Sequence, residues 1–191
     1  MTPSARPTSA ELQALLFPQG AASPSVWAVW DGARSTQVHR MLLTSRLEVR
    51  TLFDAPVAHA VARAGPQLVE VPYGHRLLAD WLAHAWQAHW GVLLRSDDPN
   101  AVRHHLSRLL KVRASEPRPQ LFRFYDPRVL RALLPRGEPV PWSAFFGPVQ
   151  TWFAVDDAGA LQAFEGRGGQ GVRSRTLWSP PAAGSDAVAA S

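Results

Sequence analysis

The order of hydrophobic patterns along the chain predicts an α/β fold: a central mixed β-sheet flanked by helices, with a small C-terminal helix and hairpin appendage and a flexible tail. Three observations carry this. Apolar runs of strand length alternate with segments of helical period, which puts a sheet and helices around one core. Two Asp-Pro pairs, Asp98-Pro99 and Asp126-Pro127, each precede a helical apolar stripe. There a carboxylate can accept free N–H groups, and proline stands where no donor is needed. Near the C-terminus, Asp156-Asp157-Ala158-Gly159 separates two apolar runs as a hairpin turn does. The chain divides accordingly into a flexible arm (1–24), an α/β domain (25–147), a small hairpin (148–165) and a disordered tail (166–191).

The arm holds several Pro, Ser and Thr and one short helical piece at Glu11–Phe17, expected to dock only locally. VWAVWD at 26–31 reads as a buried strand ending at the turn Asp31-Gly32. Gln37–Leu43 gives a short helix. Leu47–Phe53 gives a second strand, with Leu47, Val49 and Thr51 alternating against Glu48 and Arg50. Pro56–Ala64 is a modest helix closed by Gly65-Pro66, and Gln67–Val71 a third strand. His75–His89 is the longest helix expected, because Leu77, Leu78, Trp81, Leu82, Ala85 and Trp86 form one broad stripe. Trp90–Arg95 is a fourth strand. The helix opened by Asp98-Pro99 turns Val102, Leu106, Leu109 and Leu110 inward, and Arg103, His104, Ser107, Arg108 and Lys111 outward. A loop with two prolines spans 114–120.

The most heavily specified stretch is Leu121–Leu134, LFRFYDPRVLRALL. Leu121, Arg123 and Tyr125 alternate against Phe122 and Phe124, which predicts an aromatic strand. Asp126 then caps a helix that Pro127 opens, Val129, Leu130, Leu133 and Leu134 stripe, and Pro135 stops. Loss of that cap is worth roughly 1 kcal/mol. Arg95 and Arg123 each stand late in an apolar strand, where a charge buried without a partner is costly. Solvent or a local carboxylate is expected to satisfy them, Asp126 in the case of Arg123. Arg128 and Arg131 lie three apart on the polar side of their helix. Val140–Phe146 is a short helix presenting Trp142, Phe145 and Phe146, either as core cover or, if partly exposed, as an aromatic anchor for a partner.

Composition narrows the class. The 191 residues suit one domain, 46% are hydrophobic, and eight tryptophans and eight phenylalanines supply a full core. There is no cysteine, which excludes disulfides and thiolate metal sites and fits a reducing compartment. The N-terminus has too short an apolar run for a signal peptide, and no run is long enough to span a membrane, so a cytoplasmic location is expected. Net charge is +5, and Lys111 is the only lysine. Arginine forks suit an acidic or anionic partner, although charge alone does not separate nucleic acid from an acidic protein surface.

No catalytic constellation emerges. GRGGQG at Gly166–Gly171 formally matches a dinucleotide fingerprint, but VRSRTLWSPP follows it instead of a helix. His84 and His89 lie five apart and face different ways on a helix, and no histidine pair has hydrolase spacing. There is no G-x-S-x-G, and Asp97-Asp98 and Asp156-Asp157 suit capping and turns. The expectation is no enzyme, no cofactor and no metal.

FRFYDPRVLRALLP resembles the hallmark segment of the type VI secretion effector adaptors, the Tap, Tec or VasW-like chaperones. WAVWDGAR at 27–34, LFDAP at 52–56, GPQLVEVP at 65–72 and WGVLLRS at 90–96 stand upstream in the order and spacing of that family. The resemblance covers about residues 26–148. It implies a cytoplasmic adaptor that holds a secreted toxin effector on one surface and engages the VgrG spike protein with another, turning nothing over. Arg123, Tyr125, Arg128, Arg131, Trp142, Phe145 and Phe146 are the partner-binding candidates; Asp126, Pro127, Asp98 and Pro99 are structural. Two other readings use binding chemistry alone: a nucleic-acid module with a basic helix face at Arg103–Lys111 and aromatic stacking from LFRFYD, or an immunity protein that neutralises a toxin.

Overall fold

VWAVW buries both of its sides, and the architecture follows from that. Val26, Ala28 and Trp30 enter one hydrophobic core, while Trp27 and Val29 enter another. A strand wetted on one face would alternate apolar with polar residues; this one has helices over both faces. The computed structural model describes residues 6–54, 56–112, 120–134, 142–167 and 171–181.

In chain order the first elements are α1 (Ser9–Leu16), β1 (Ser25–Asp31), α2 (Thr36–Ser45), β2 (Val49–Thr51), α3 (His59–Ala64) and β3 (Pro66–Val71). Then come α4 (Leu77–His84), β4 (Gly91–Ser96), α5 (Pro99–Leu109), β5 (Lys111–Val112) and β6 (Gln120–Leu121). The last are α6 (Pro127–Leu133), α7 (Trp142–Phe146), β7 (Val149–Val155), β8 (Leu161–Gly166) and β9 (Val172–Trp178). Seven strands form one open sheet in the order β2-β3-β1-β4-β7-β8-β9, and β5 pairs with β6 apart from it. α1, α2 and α4 cover one face; α5, α6 and α7 cover the other.

The α/β class holds, but every pairing is antiparallel, which corrects the expected mixed sheet. β1 and β2 both run against β3, and β3 and β4 both run against β1. Hence α2 and α4 do join strands of like direction, as a βαβ alternation implies. In each case an antiparallel strand fills the gap between them.

Local chemistry explains most boundaries. Thr8 and Glu11 form a reciprocal capping box on α1, and Leu12 and Leu16 are fully buried, so α1 of the N-terminal arm is docked on the core. Ser35 caps α2. α4 is shorter than its stripe: Arg6 donates to the carbonyls of Leu82 and Ala83, and His89, at φ 55°, turns the chain toward β4. The stripe is nevertheless buried through Trp86. α5 is therefore the longest helix among the described residues, with 11 residues. Ser107, expected outside, is buried.

The hairpin expected as an appendage continues the sheet. β7 pairs with β4, sending Trp152 into one core and Phe153 into the other. Burying two such rings stabilises by roughly 3–6 kcal/mol. β9 adds a seven-residue strand where a disordered tail was expected. As an edge strand it buries little, so VRSRTLW lacks the apolar alternation that marks β1. Its Trp178 meets Trp86 edge-on at 5.9 Å. The glycine-rich stretch is the β8–β9 connection, where Arg167 N–H donates to the Gly171 carbonyl at 2.9 Å. A strand follows it, so no helix N-terminus is there to receive a pyrophosphate. Most of the two-proline loop, Pro135, positions 140–141 and positions 182–191 lie outside the described residues.

Candidate functional site

Two motifs far apart in sequence meet at the end of β1. Asp31 closes that strand almost wholly buried, and its Oδ1 accepts the Ala33 N–H at 3.1 Å. Gly32 leaves no room for a side chain: a Cβ there would come within 2.0 Å of the Arg63 carbonyl oxygen. Its own N–H donates to the Gly65 carbonyl at 3.2 Å, fixing the turn against the end of α3. Arg34, two residues on, lays Nε 3.5 Å from Asp31 Oδ2 and donates from a terminal nitrogen to Asp126 Oδ2 at 2.8 Å.

Asp126 belongs to the second motif, and here the expected aromatic strand is corrected. β6 stops at Leu121, and Asp126 N–H donates to the Arg123 carbonyl at 3.0 Å, closing a turn. A turn brings adjacent side chains inward together, whereas a strand would send them to opposite faces. Phe124 and Tyr125 are consequently both buried, with Phe124 5.6 Å from Trp152. The turn aims Arg123 at Asp31, at 2.6 Å, and not at Asp126 as expected. Its guanidinium lies 5.8 Å from the Tyr125 ring centre. Asp126 caps α6 as expected, accepting the Arg128 N–H at 3.0 Å, and also grips the Arg128 side chain bidentately at 2.9 and 2.6 Å.

The carboxylates of Asp31 and Asp126 are 2% and 6% exposed; the side chains of Arg34, Arg123 and Arg128 are 30%, 49% and 49% exposed. Buried acceptors thus hold half-exposed cations, an arrangement whose loss on one side is costly. Burial pushes the Asp126 carboxyl up, but hydrogen bonds from the Arg128 side chain and backbone, with the charges of Arg128 and Arg34, outweigh it and hold the pKa at about 2. The hydrogen bond to Asp31 raises Arg123, and burial raises the Tyr125 phenol. Beside this node Arg131 donates to Asp157 at 3.0 Å, and His89 Nε2 lies 3.4 Å from the same carboxylate. Burial, then the Arg128 charge, lowers His89. Each guanidinium offers a planar fork of donors, and the buried carboxylates occupy only the inward ones. The outward ones suit carboxylates on another molecule.

The remaining expected residues fall elsewhere. Trp142, Phe145 and Phe146 are buried, which removes them as a surface anchor: Phe145 stands within 6.2 Å of Phe122, Trp142, Phe146 and Trp152. His105 Nε2, 2.9 Å from the Phe145 carbonyl, ties α7 to α5. Tyr125 is likewise buried and only backs Arg123. Asp98 caps α5 behind Pro99, accepting the N–H groups of Asn100 and Ala101. Arg95 donates to the Thr151 hydroxyl at 3.2 Å, over the Phe153 ring, with no ion pair among the described residues. Burial lowers its pKa. Sequence reasoning missed Asp31 and Arg34 as members of the node. The available signal was an aspartate ending an aromatic strand directly before Gly-Ala-Arg.

The molecule is thus of the α/β class, an open antiparallel sheet between two helical layers with an arginine–carboxylate node at one end of its central strand. Among the described residues no group of three or more His, Cys, Asp or Glu is placed to hold a metal, and no helix is long and apolar enough to cross a membrane. The chain belongs to the family described as a domain of unknown function, DUF4123, whose model matches residues 26–144. That family is associated with type VI secretion effector adaptors. No curated protein and no solved structure matches the chain. The matched segment contains both halves of the node.

Proposed function

We propose that the chain is a non-catalytic adaptor that binds a type VI secretion effector in the cytoplasm of the producing cell and loads it onto the VgrG spike. The observation that carries this reading is the convergence of WDGAR and FRFYDPR, 92 residues apart at Arg34–Asp126 and Arg123–Asp31, into one platform of outward guanidiniums. A platform held rigid by buried carboxylates loses little side-chain entropy on meeting an acidic surface, which is the property a binding protein needs. Nothing comparable favours nucleic acid, since Phe124 and Tyr125 are in the core and offer no stacking surface.

The test is export. Deleting the gene should abolish release of one effector while the spike protein is still released. Arg123→Gln with Arg128→Gln should lower the melting temperature and, measured well below it with the chain still folded, weaken effector capture. Unchanged effector export after deletion would sink the adaptor reading. If deletion instead left cells sensitive to a neighbour's toxin, the immunity reading would take its place.

A further inference from the structure

The two edges of the sheet are unlike. β2 is three residues long, with Glu48 and Arg50 paired beside it at 2.7 Å. β9 runs for seven residues, and among the described residues nothing pairs with its outer edge. A long free edge is a template for a further strand.

The register gives that edge a charge. Along one row on one face of the sheet, Arg95 stands opposite Thr151, Thr151 opposite Glu165, and Glu165 opposite Arg173. Arg175, two residues beyond Arg173 and on the same face, donates to Glu165 at 3.2 Å. Among these three guanidiniums only Arg175 is paired with the one carboxylate of the row, and neither Arg95 nor Arg173 has an ion pair among the described residues. A strand added beside β9 brings its own side chains opposite Arg173 and Arg175, where opposite charges stabilise and like charges repel.

We propose that the free edge of β9 takes up an extended acidic segment of a partner protein by strand addition, with Asp or Glu seated against Arg173 and Arg175. The inference rests on the adaptor reading for its occupant being a protein segment. A second copy fits worse: antiparallel pairing of two β9 strands about Ser174 sets Arg173 of each against Arg175 of the other. The surface is separate from the node at the end of β1, so an adaptor using both can hold two things at once.

The probe is a short dye-labelled peptide of alternating Val and Glu, with a Val-Lys peptide as its control, titrated into the full chain at low ionic strength. The acidic peptide should bind and slow amide exchange in β9, and the basic one should not. R173Q with R175Q, two exposed positions, should weaken binding by about tenfold or more, while losing only one exposed ion pair leaves the melting temperature close to that of the parent. Equal binding of both peptides, slowed exchange at the node instead of β9, or no binding would overturn the proposal. So would binding that emerges only in a chain ended at Pro181, since the chain's own last residues would then hold the edge. If the peptide fails while effector export still depends on the chain, the edge proposal falls and the adaptor reading stands.

Discussion

Asp98-Pro99 and Asp126-Pro127 open two helices with the same pair of residues, and the two sites behave differently. Asp98 is exposed and accepts the N–H groups of Asn100 and Ala101, both at 3.1 Å. Asp126 is buried and accepts one N–H together with the guanidiniums of Arg34 and Arg128. The cap is a property of a few neighbouring residues. Its promotion to a node depends on Arg34, 92 positions away.

Asp126→Ala tests that difference most severely. It removes the cap and the acceptor of two guanidiniums in a buried site, and should destabilise by roughly 3 kcal/mol in denaturant melts. This exceeds the roughly 1 kcal/mol expected from the cap alone. A loss no larger than a cap would reduce Asp126 to a second Asp98. Acid provides the next contrast. The Asp126 pKa is depressed from 3.8 to about 2, so its contribution is complete above 3.8 and is lost as pH falls through about 2. That contribution is roughly 2 kcal/mol, and Asp126→Asn should flatten this part of the stability–pH curve. Asp98→Ala should cost about 1 kcal/mol and leave the acid profile of Asp126 in place. Smallest is Arg131→Gln, which loses an ion pair to a well-exposed Asp157. It should shift stability by less than about 1 kcal/mol, and a larger loss would extend the node as far as the β7–β8 turn.

The same division between local and distant chemistry decides what was legible in the sequence. Both Asp-Pro caps, the buried β1, the stripe of α4 and the β7–β8 hairpin could be read because each is written within a dozen residues. The direction of the strands could not, because helices that join like-directed strands leave open whether another strand lies between. LFRFY alternates as a strand does, but Phe124 and Tyr125 are both drawn inward by the core around Trp152, which no local period encodes. β9 was missed because an edge strand buries so little that arginine, serine and threonine suffice. Arg123 could be seen to need a carboxylate; that Asp31 supplies it is knowable only once β1 and the α6 turn are side by side.

The position of β7 has a consequence for how the chain is made. β4 is synthesised well before its neighbour, with three helices still to come between them. Until β7 emerges, Leu93 and Leu94 sit on a strand whose edge has no mate, and Phe124 and Phe145 lack the Trp152 ring that separates them from water. Between the end of β4 at Ser96 and the start of β7 at Val149 the growing chain is expected to be a half-built apolar sheet, the kind of species that aggregates or recruits folding helpers. A released chain ending at Pro148 should be digested rapidly by protease, whereas one ending at Pro181 should resist. Translation speed through α5, α6 and α7 thus sets how long the growing molecule is exposed to misassembly.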